Sequence, residues 1–334
     1  MTLRRLAEDE RQNFPEASKV VETAFYMDDL VHGADTIEEG KELISNLNLL
    51  MKAGGFNLRK WSSNENRLLE EIKSEQNKSE DNVFNFKTGD ESKTLGLSWN
   101  STNDIFTFNY NISNKTKITT KRVLLSEISK LFDPLGWLAP LTTKLKLLFQ
   151  TVWKDELNWD DKVSDKIQRE WTKIKEELHC LKQHEVPRWI RSHKGDVIEL
   201  HGFCDASIEA YACVVYARVK GQTKTIIVAA KTKLVPHKKA ITLPRLELSG
   251  AHLLSKLMSK IREALSQHEL DLHGWTDSMV VLGWLQGEPY RWRPFVANRV
   301  QQIIDVMPST CWRYVNDLLY AVSHKGSPSV RFSL

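Results

Sequence analysis

The sequence predicts a mixed architecture, α+β or α/β, spread over about two domains, and three observations predict it. Its 334 residues are roughly twice a single domain of about 150. Hydrophobic residues at 41% and charged residues at 27% supply real cores, unlike a disordered or collagen-like chain. Towards the C-terminus the hydrophobic period switches from strand-like to helical and back, in the order βββαβα(α)β.

The elements follow from the N-terminus. Phe25-Tyr26-Met27-Asp28-Asp29-Leu30 sets two adjacent aspartates between apolar flanks, a tight strand-turn-strand with at least one carboxylate at its tip. Thr36 to Ala53 reads as a helix. Ser62 to Ser92 is rich in Asn, Ser and Glu and reads as a helix followed by a loose loop, one domain boundary. From Lys115 to Lys154 eight basic residues stand against Glu127 and Asp133, a local charge of +6, and from Asp155 to Glu177 the balance reverses to −3. A basic element meeting an anionic partner beside an acidic, water-facing helix is one reading; two solvated helix faces is the other. Lys162 to Gln183 is helical and ends at a second boundary, near Val186 to Asp196, where Pro187, Gly195 and a run of charges intervene.

Beyond that boundary three closely spaced strands, Val197 to Cys204, Ala210 to Val219 and Thr225 to Ala230, form an antiparallel meander. Thr242 can cap a helix with Pro244 in its first turn, and Leu246, Leu253, Leu254, Leu257, Ile261 and Leu265 recur at helical spacing. A short strand at Leu272 to Thr276, helices at Met279 to Leu285 and Phe295 to Asp305, and a strand at Thr310 to Val315 complete the unit.

Three acidic residues of this unit occupy positions unusual for solvated charge: Asp205 ends the first strand, Glu247 lies within the helix, and Asp277 follows the fourth strand. With the first and fourth strands adjacent and the helix packed over them, the two strand-end carboxylates lie side by side and the helix carboxylate faces them. Gly250 and Ala251 let the helix come close. Clustered carboxylates repel unless a cation neutralises them, and hard Mg²⁺ or Mn²⁺ prefers such oxygen ligands. Any one of the three, taken alone, is more simply a cap or a surface charge.

Other classes are excluded or disfavoured. Four cysteines at 180, 204, 213 and 311 contain no C-x-x-C pair, so neither a zinc ribbon nor a disulfide framework is expected. No apolar run approaches the roughly 18 residues of a membrane span, and the charged N-terminus is unlike a signal peptide; an intracellular product, cytoplasmic or nuclear, is expected. There is no D-[ST]-G loop and no placed Ser/His or Cys/His pair for proteolysis. His201, His252 and His273 read as packing histidines, and Cys204 as a buried strand thiol.

FCDAS at Phe203 to Ser207, LPRLEL at Leu243 to Leu248, and TDS at Thr276 to Ser278 with Trp284 resemble the ribonuclease H domain of retroelement polyproteins, more narrowly that of BEL/Pao retrotransposons. The YMDD hairpin, Gly33, the helix after it and Gly55 to Trp61 resemble a reverse-transcriptase palm. Leu95 to Trp99 and the stretch Lys121 to Pro140, with FDPLGWLAP, are similar to BEL/Pao polymerases in the primer grip and thumb.

The resemblance implies a partial palm over residues 1–61, primer grip, thumb and connection over 62–190, and a ribonuclease H-like mixed sheet with flanking helices over 191–334. It implies Asp205, Glu247 and Asp277 as catalytic metal ligands for Mg²⁺ or Mn²⁺, Asp28 and Asp29 as polymerase carboxylates, and Lys60, Lys121, Arg122 and Lys130 as nucleic-acid contacts. The implied activity is cleavage of RNA in an RNA:DNA hybrid, with hybrid or template-primer as partner. Only 25 residues precede Tyr26, so the polymerase site is incomplete here and primer extension by this chain is not expected. After Trp312 to Val315 the family's Asn-Pro-Ala-Asp segment is replaced by Asn316-Asp317-Leu318-Leu319-Tyr320, leaving Asp317 as the nearby substitute for a fourth ligand and the second metal position in doubt. The alternative is an inactive remnant that at most binds nucleic acid.

Overall fold

The computed structural model describes residues 2–70, 92–94, 97–108, 110, 120–236 and 241–316, and the chain divides into two compact units, Met1–Phe108 and Asn109–Leu334.

In the first unit, helices α1 (Thr2–Asp9), α2 (Pro15–Ala24) and α3 (Ile37–Ala53) surround a small core of Ala7, Val20, Val21, Leu47, Leu50 and Met51. Helix α3 starts where the sequence sets it because Thr36 and Glu39 form a reciprocal capping box that satisfies two end N–H groups. Strands β1 (Phe25–Tyr26) and β2 (Asp29–Leu30) pair antiparallel, with Tyr26 opposite Asp29, so Met27 and Asp28 form the two-residue turn. Strands β3 (Ser92–Thr94), β4 (Leu97–Asn100) and β5 (Ile105–Thr107) make an antiparallel meander. Residues 66–70 are helical, and most of the loose loop expected after them lies outside the described residues.

The second unit opens with helices α4 (Lys121–Ile128), α5 (Ala139–Lys154) and α6 (Asp165–Glu177) and the short strand β6 (Val186–Pro187). Ser164 caps α6 by accepting the Ile167 N–H. A five-stranded mixed sheet follows, made of β7 (Val197–Ala206), β8 (Ala210–Val219), β9 (Ile226–Leu234), β10 (Glu269–Thr276) and β11 (Trp312–Tyr314), in the order β11-β10-β7-β8-β9. The meander β7-β8-β9 is antiparallel, whereas β10 runs parallel to both β7 and β11. The first and fourth strands of the unit are therefore neighbours, the arrangement in which the two strand-end carboxylates were expected to lie side by side.

Helix α7 (Leu243–Ala264) crosses this sheet, followed later by α8 (Met279–Gln286) and α9 (Pro294–Ile304). Along β7 the even positions Ile198, Leu200 and Cys204 are buried against Leu248, Leu254 and Met258 of α7. The period of two on the strand thus meets the period of 3.6 on the helix. Each such leucine contributes roughly 2 kcal/mol by leaving water. Thr242 occupies the N-cap position of α7 but makes no side-chain capping bond; Pro244 in the first turn fixes the start. Strand β9 runs four residues beyond the expected end, because α5 and the loop before it cover this edge.

Candidate functional site

Strand register brings Asp205 and Asp277 to one place. The parallel ladder of β7 and β10 runs to Phe203 opposite Trp275; two residues further on stand Asp205, near the end of β7, and Asp277, just past the end of β10. Both are half-buried. Along the two strands Phe203 stacks on Trp275 (centroids 6.0 Å, 14° between planes) and His201 on His273 (4.7 Å, 18°), so these pairs share one face of the sheet. Between these strands the Cys204 thiol donates to the Trp275 carbonyl at 3.6 Å. Burial foremost pushes that thiol well above its ordinary pKa, with the neighbouring Cys213 and the carboxylates of Asp205 and Asp277 acting the same way against a hydrogen bond with Thr276.

Glu247 arrives from α7. A β-carbon on Gly250 would stand 3.2 Å from the Asp205 carbonyl oxygen, so glycine lets the helix lie against the end of β7. Glu247 sits one helical turn before Gly250. Its Oε2 accepts a hydrogen bond of 2.5 Å from the Ser278 hydroxyl, and Ser278 directly follows Asp277. Ser278 also accepts the Val281 N–H at 3.2 Å as the N-cap of α8, and its own N–H donates to Thr276 Oγ1. Asp205 Oδ1 accepts the Ala206 N–H at 2.6 Å.

Oxygen donors of this kind suit a hard divalent cation, and the three elements converge on one end of the sheet. The side chains are not drawn together into a ligand set: among the described residues no three His, Cys, Asp or Glu groups stand close enough to hold a metal ion. Asp317 lies outside the described residues.

The hairpin of the first unit exposes Asp28 and Asp29, with Asp28 in the turn beside Met27, whose φ of 56° is costly for a non-glycine residue. Lys60 is exposed, also at positive φ (58°). The three basic residues expected on phosphate are engaged within the second unit. Lys121 corrects the expectation outright: it is 3% exposed, its ammonium lies 3.3 Å from the Trp153 ring centroid, and it donates to the Leu157 carbonyl at 3.1 Å. Arg122 makes two hydrogen bonds to Asp160, at 2.8 and 2.9 Å, and Lys130 pairs with Glu127 at 2.5 Å. Trp284 and Trp292 pack against the core.

His201 and His273 behave as packing groups. Burial foremost lowers both pKa values; for His201 the neighbouring His273 and then Arg218 add to it, for His273 Arg313 does, and Glu199 opposes in both. Ser278 is the site residue that sequence reasoning missed. The available signal was its position immediately after Asp277 and before an apolar helical run, an N-cap pattern.

Residues 120–278 match the family model described as Pao retrotransposon-like RNaseH-like domain. The mixed five-stranded sheet with its parallel β7–β10 pair is of the ribonuclease H-like type. A foamy viral protease-reverse transcriptase in complex with double-stranded DNA is similar with a TM-score of 0.49 and 12% identity, over 95% of this chain and 49% of that one. The same enzyme with an RNA/DNA hybrid gives 0.47 and 15%, over 98% and 38%. The ribonuclease H1 of Halobacterium salinarum NRC-1 gives 0.26 and 13%, over 37% of this chain and 89% of that one. The chain spans about half the length, or less, of these two foamy viral chains. No curated protein matches it.

Proposed function

We propose that the chain, whose residues 120–278 match the family model described as Pao retrotransposon-like RNaseH-like domain, is a fragment of a retrotransposon polymerase polyprotein whose second unit cuts the RNA strand of RNA:DNA hybrids. The observation that carries this is the convergence of three carboxyl-bearing positions: Asp205 and Asp277 by strand register, and Glu247 by its bond to Ser278.

Asp205, Glu247 and Asp277 would hold Mg²⁺ or Mn²⁺, which when bound polarises the phosphate and the attacking water. The chain's own part is to position these carboxylates and to bind and orient the hybrid. Asp28 and Asp29 are, in this reading, remnants of a polymerase site in residues 1–61, with the primer grip, thumb and connection in 62–190 and the ribonuclease H-like domain in 191–334. Lys60, and the exposed Arg122 and Lys130 if they exchange their internal partners for phosphate, would supply a salt-sensitive contact independent of sequence.

A second reading, a non-catalytic remnant that binds nucleic acid, is favoured by the absence of a closed ligand set among the described residues. Incubating the protein with a labelled RNA:DNA hybrid and Mg²⁺ or Mn²⁺ decides between them. Cleavage lost in Asp205→Asn, Glu247→Gln and Asp277→Asn supports the nuclease. Hybrid binding without cleavage under both ions supports the remnant.

A further inference from the structure

We propose that the edge strand β11 is held on the sheet by a proton-sensitive latch, in which two stacked histidines accept hydrogen bonds that a proton would displace. The latch would operate whether or not the chain is a nuclease. His201 of β7 and His273 of β10 stand opposite each other in the parallel ladder, their ring centroids 4.7 Å apart and their planes 18° from parallel. The Trp275 indole N–H donates to His201 Nδ1 at 3.3 Å, and Nη1 of Arg313, on β11, lies 3.0 Å from His273 Nδ1. Indole and guanidinium nitrogens only donate, so each Nδ1 receives the bond and each ring is neutral with its proton on Nε2.

An added proton enters either ring only at the nitrogen already engaged. On His273 it sets an imidazolium against the Arg313 guanidinium; on His201 it turns away the Trp275 indole, whose ring centroid lies 5.9 Å from that guanidinium. Around the pair stand Glu199 on β7, Tyr216 and Arg218 on β8, Asp271 on β10 and Arg313 on β11. Both carboxylates are engaged elsewhere. Glu199 Oε2 takes Arg218 Nε at 2.7 Å and Nη2 at 2.6 Å, with His201 Nε2 at 3.7 Å, and Asp271 holds Lys220 at 2.9 Å. Strand β11 is short enough to respond, pairing with β10 over three positions, from Gly274 with Trp312 to Thr276 with Tyr314. While it is closed, burial first and cationic neighbours next keep both histidines below the ordinary value of 6.5, which an opened, hydrated edge restores. Opening therefore takes up protons: the latch is fully shut above pH 6.5 and loosens as pH falls from there towards the lowered values.

Hydrogen–deuterium exchange of the full chain tests this, with protection factors corrected for the intrinsic pH dependence of exchange. The Val315 N–H, which donates to the Thr276 carbonyl at 3.1 Å, reports on the strand. Its protection should fall between pH 7.5 and 5.5 by up to about tenfold for each proton taken up. Low urea should leave that fall unchanged, because releasing three residues exposes little surface whereas unfolding the sheet exposes much. His201→Phe with His273→Phe keeps stacked rings but offers no nitrogen, so Val315 protection should no longer depend on pH. Should that variant not fold, wild-type ¹⁵N imidazole spectra decide: both rings should show the Nε2–H tautomer at pH 7.5 and lose it in step with Val315 protection. Protection that stays constant while the histidines titrate, a fall that persists in the double variant, a fall that grows with urea, or an Nδ1–H tautomer at pH 7.5 overturns the latch.

Discussion

Gly136 and Ala230 meet so closely that a β-carbon on Gly136 would lie 1.9 Å from the Ala230 carbonyl oxygen. One residue earlier, the Leu135 carbonyl accepts the Ala230 N–H at 2.8 Å, and one residue later the Trp137 indole N–H donates to the Val228 carbonyl at 2.9 Å. The segment FDPLGWLAP thus lies along β9, bonded to its backbone at two points.

Gly136→Ala should destabilise the protein by about 3 kcal/mol or more, since the residue sits at φ +74° and the added carbon meets backbone rather than a flexible side chain. Urea unfolding measures it. A loss below about 1 kcal/mol would mean that the loop moves off β9 at little cost.

Lys121→Met should keep the aliphatic stem against Trp153 but abandon the Leu157 carbonyl and the cation–π contact, at a cost of about 2 kcal/mol. If the buried ammonium has no part in binding, the salt dependence of hybrid affinity will match wild type. A slope lower by about one unit would show that Lys121 reaches phosphate after all.

Sequence reasoning reached the sheet and missed the clasp around Lys121 for different physical reasons. The alternation in Val197 to Cys204 reports a local period, and Gly250 beside Glu247 reports local bulk; both survive folding as the contact of α7 with the end of β7. The burial of Lys121 depends on Trp153 and Trp159, more than thirty residues away, folding back over α4. A local charge of +6 says nothing of that. The bond from Ser278 to Glu247 spans 31 residues and likewise becomes visible only once α7 lies across β10.

Acidification should destabilise the fold through its histidines. His201 and His273 have lowered pKa values in the folded protein, so between those values and the unfolded value near 6.5 the unfolded chain binds more protons. Stability is full above that value and falls as pH drops towards the folded pKa values. The urea midpoint should be lower at pH 5.5 than at pH 7.5, and His201→Gln with His273→Gln should flatten part of that difference. An unchanged slope would remove the pair as a cause.

Thiol labelling should order the cysteines. Cys213 is 3% exposed and burial pushes its thiol up to about 12, so iodoacetamide at pH 8 should leave it intact in folded protein. Of the three cysteines whose side chains are described, Cys311, partly exposed, should react first. Peptide mass spectrometry reads the order, and early labelling of Cys213 would show that β8 opens readily.

The cover over β9 has a practical corollary for handling this protein. A nine-residue strand at the margin of a sheet offers its backbone to any passing chain unless something lies along it. Here Leu135, Trp137, Thr143 and Gln150 occupy those backbone and side-chain positions, at Ala230, Val228, Thr232 and Val235. A recombinant piece cut just before β7 would shed that cover and self-associate through the bared margin, whereas one begun upstream of Thr120 would stay dispersed.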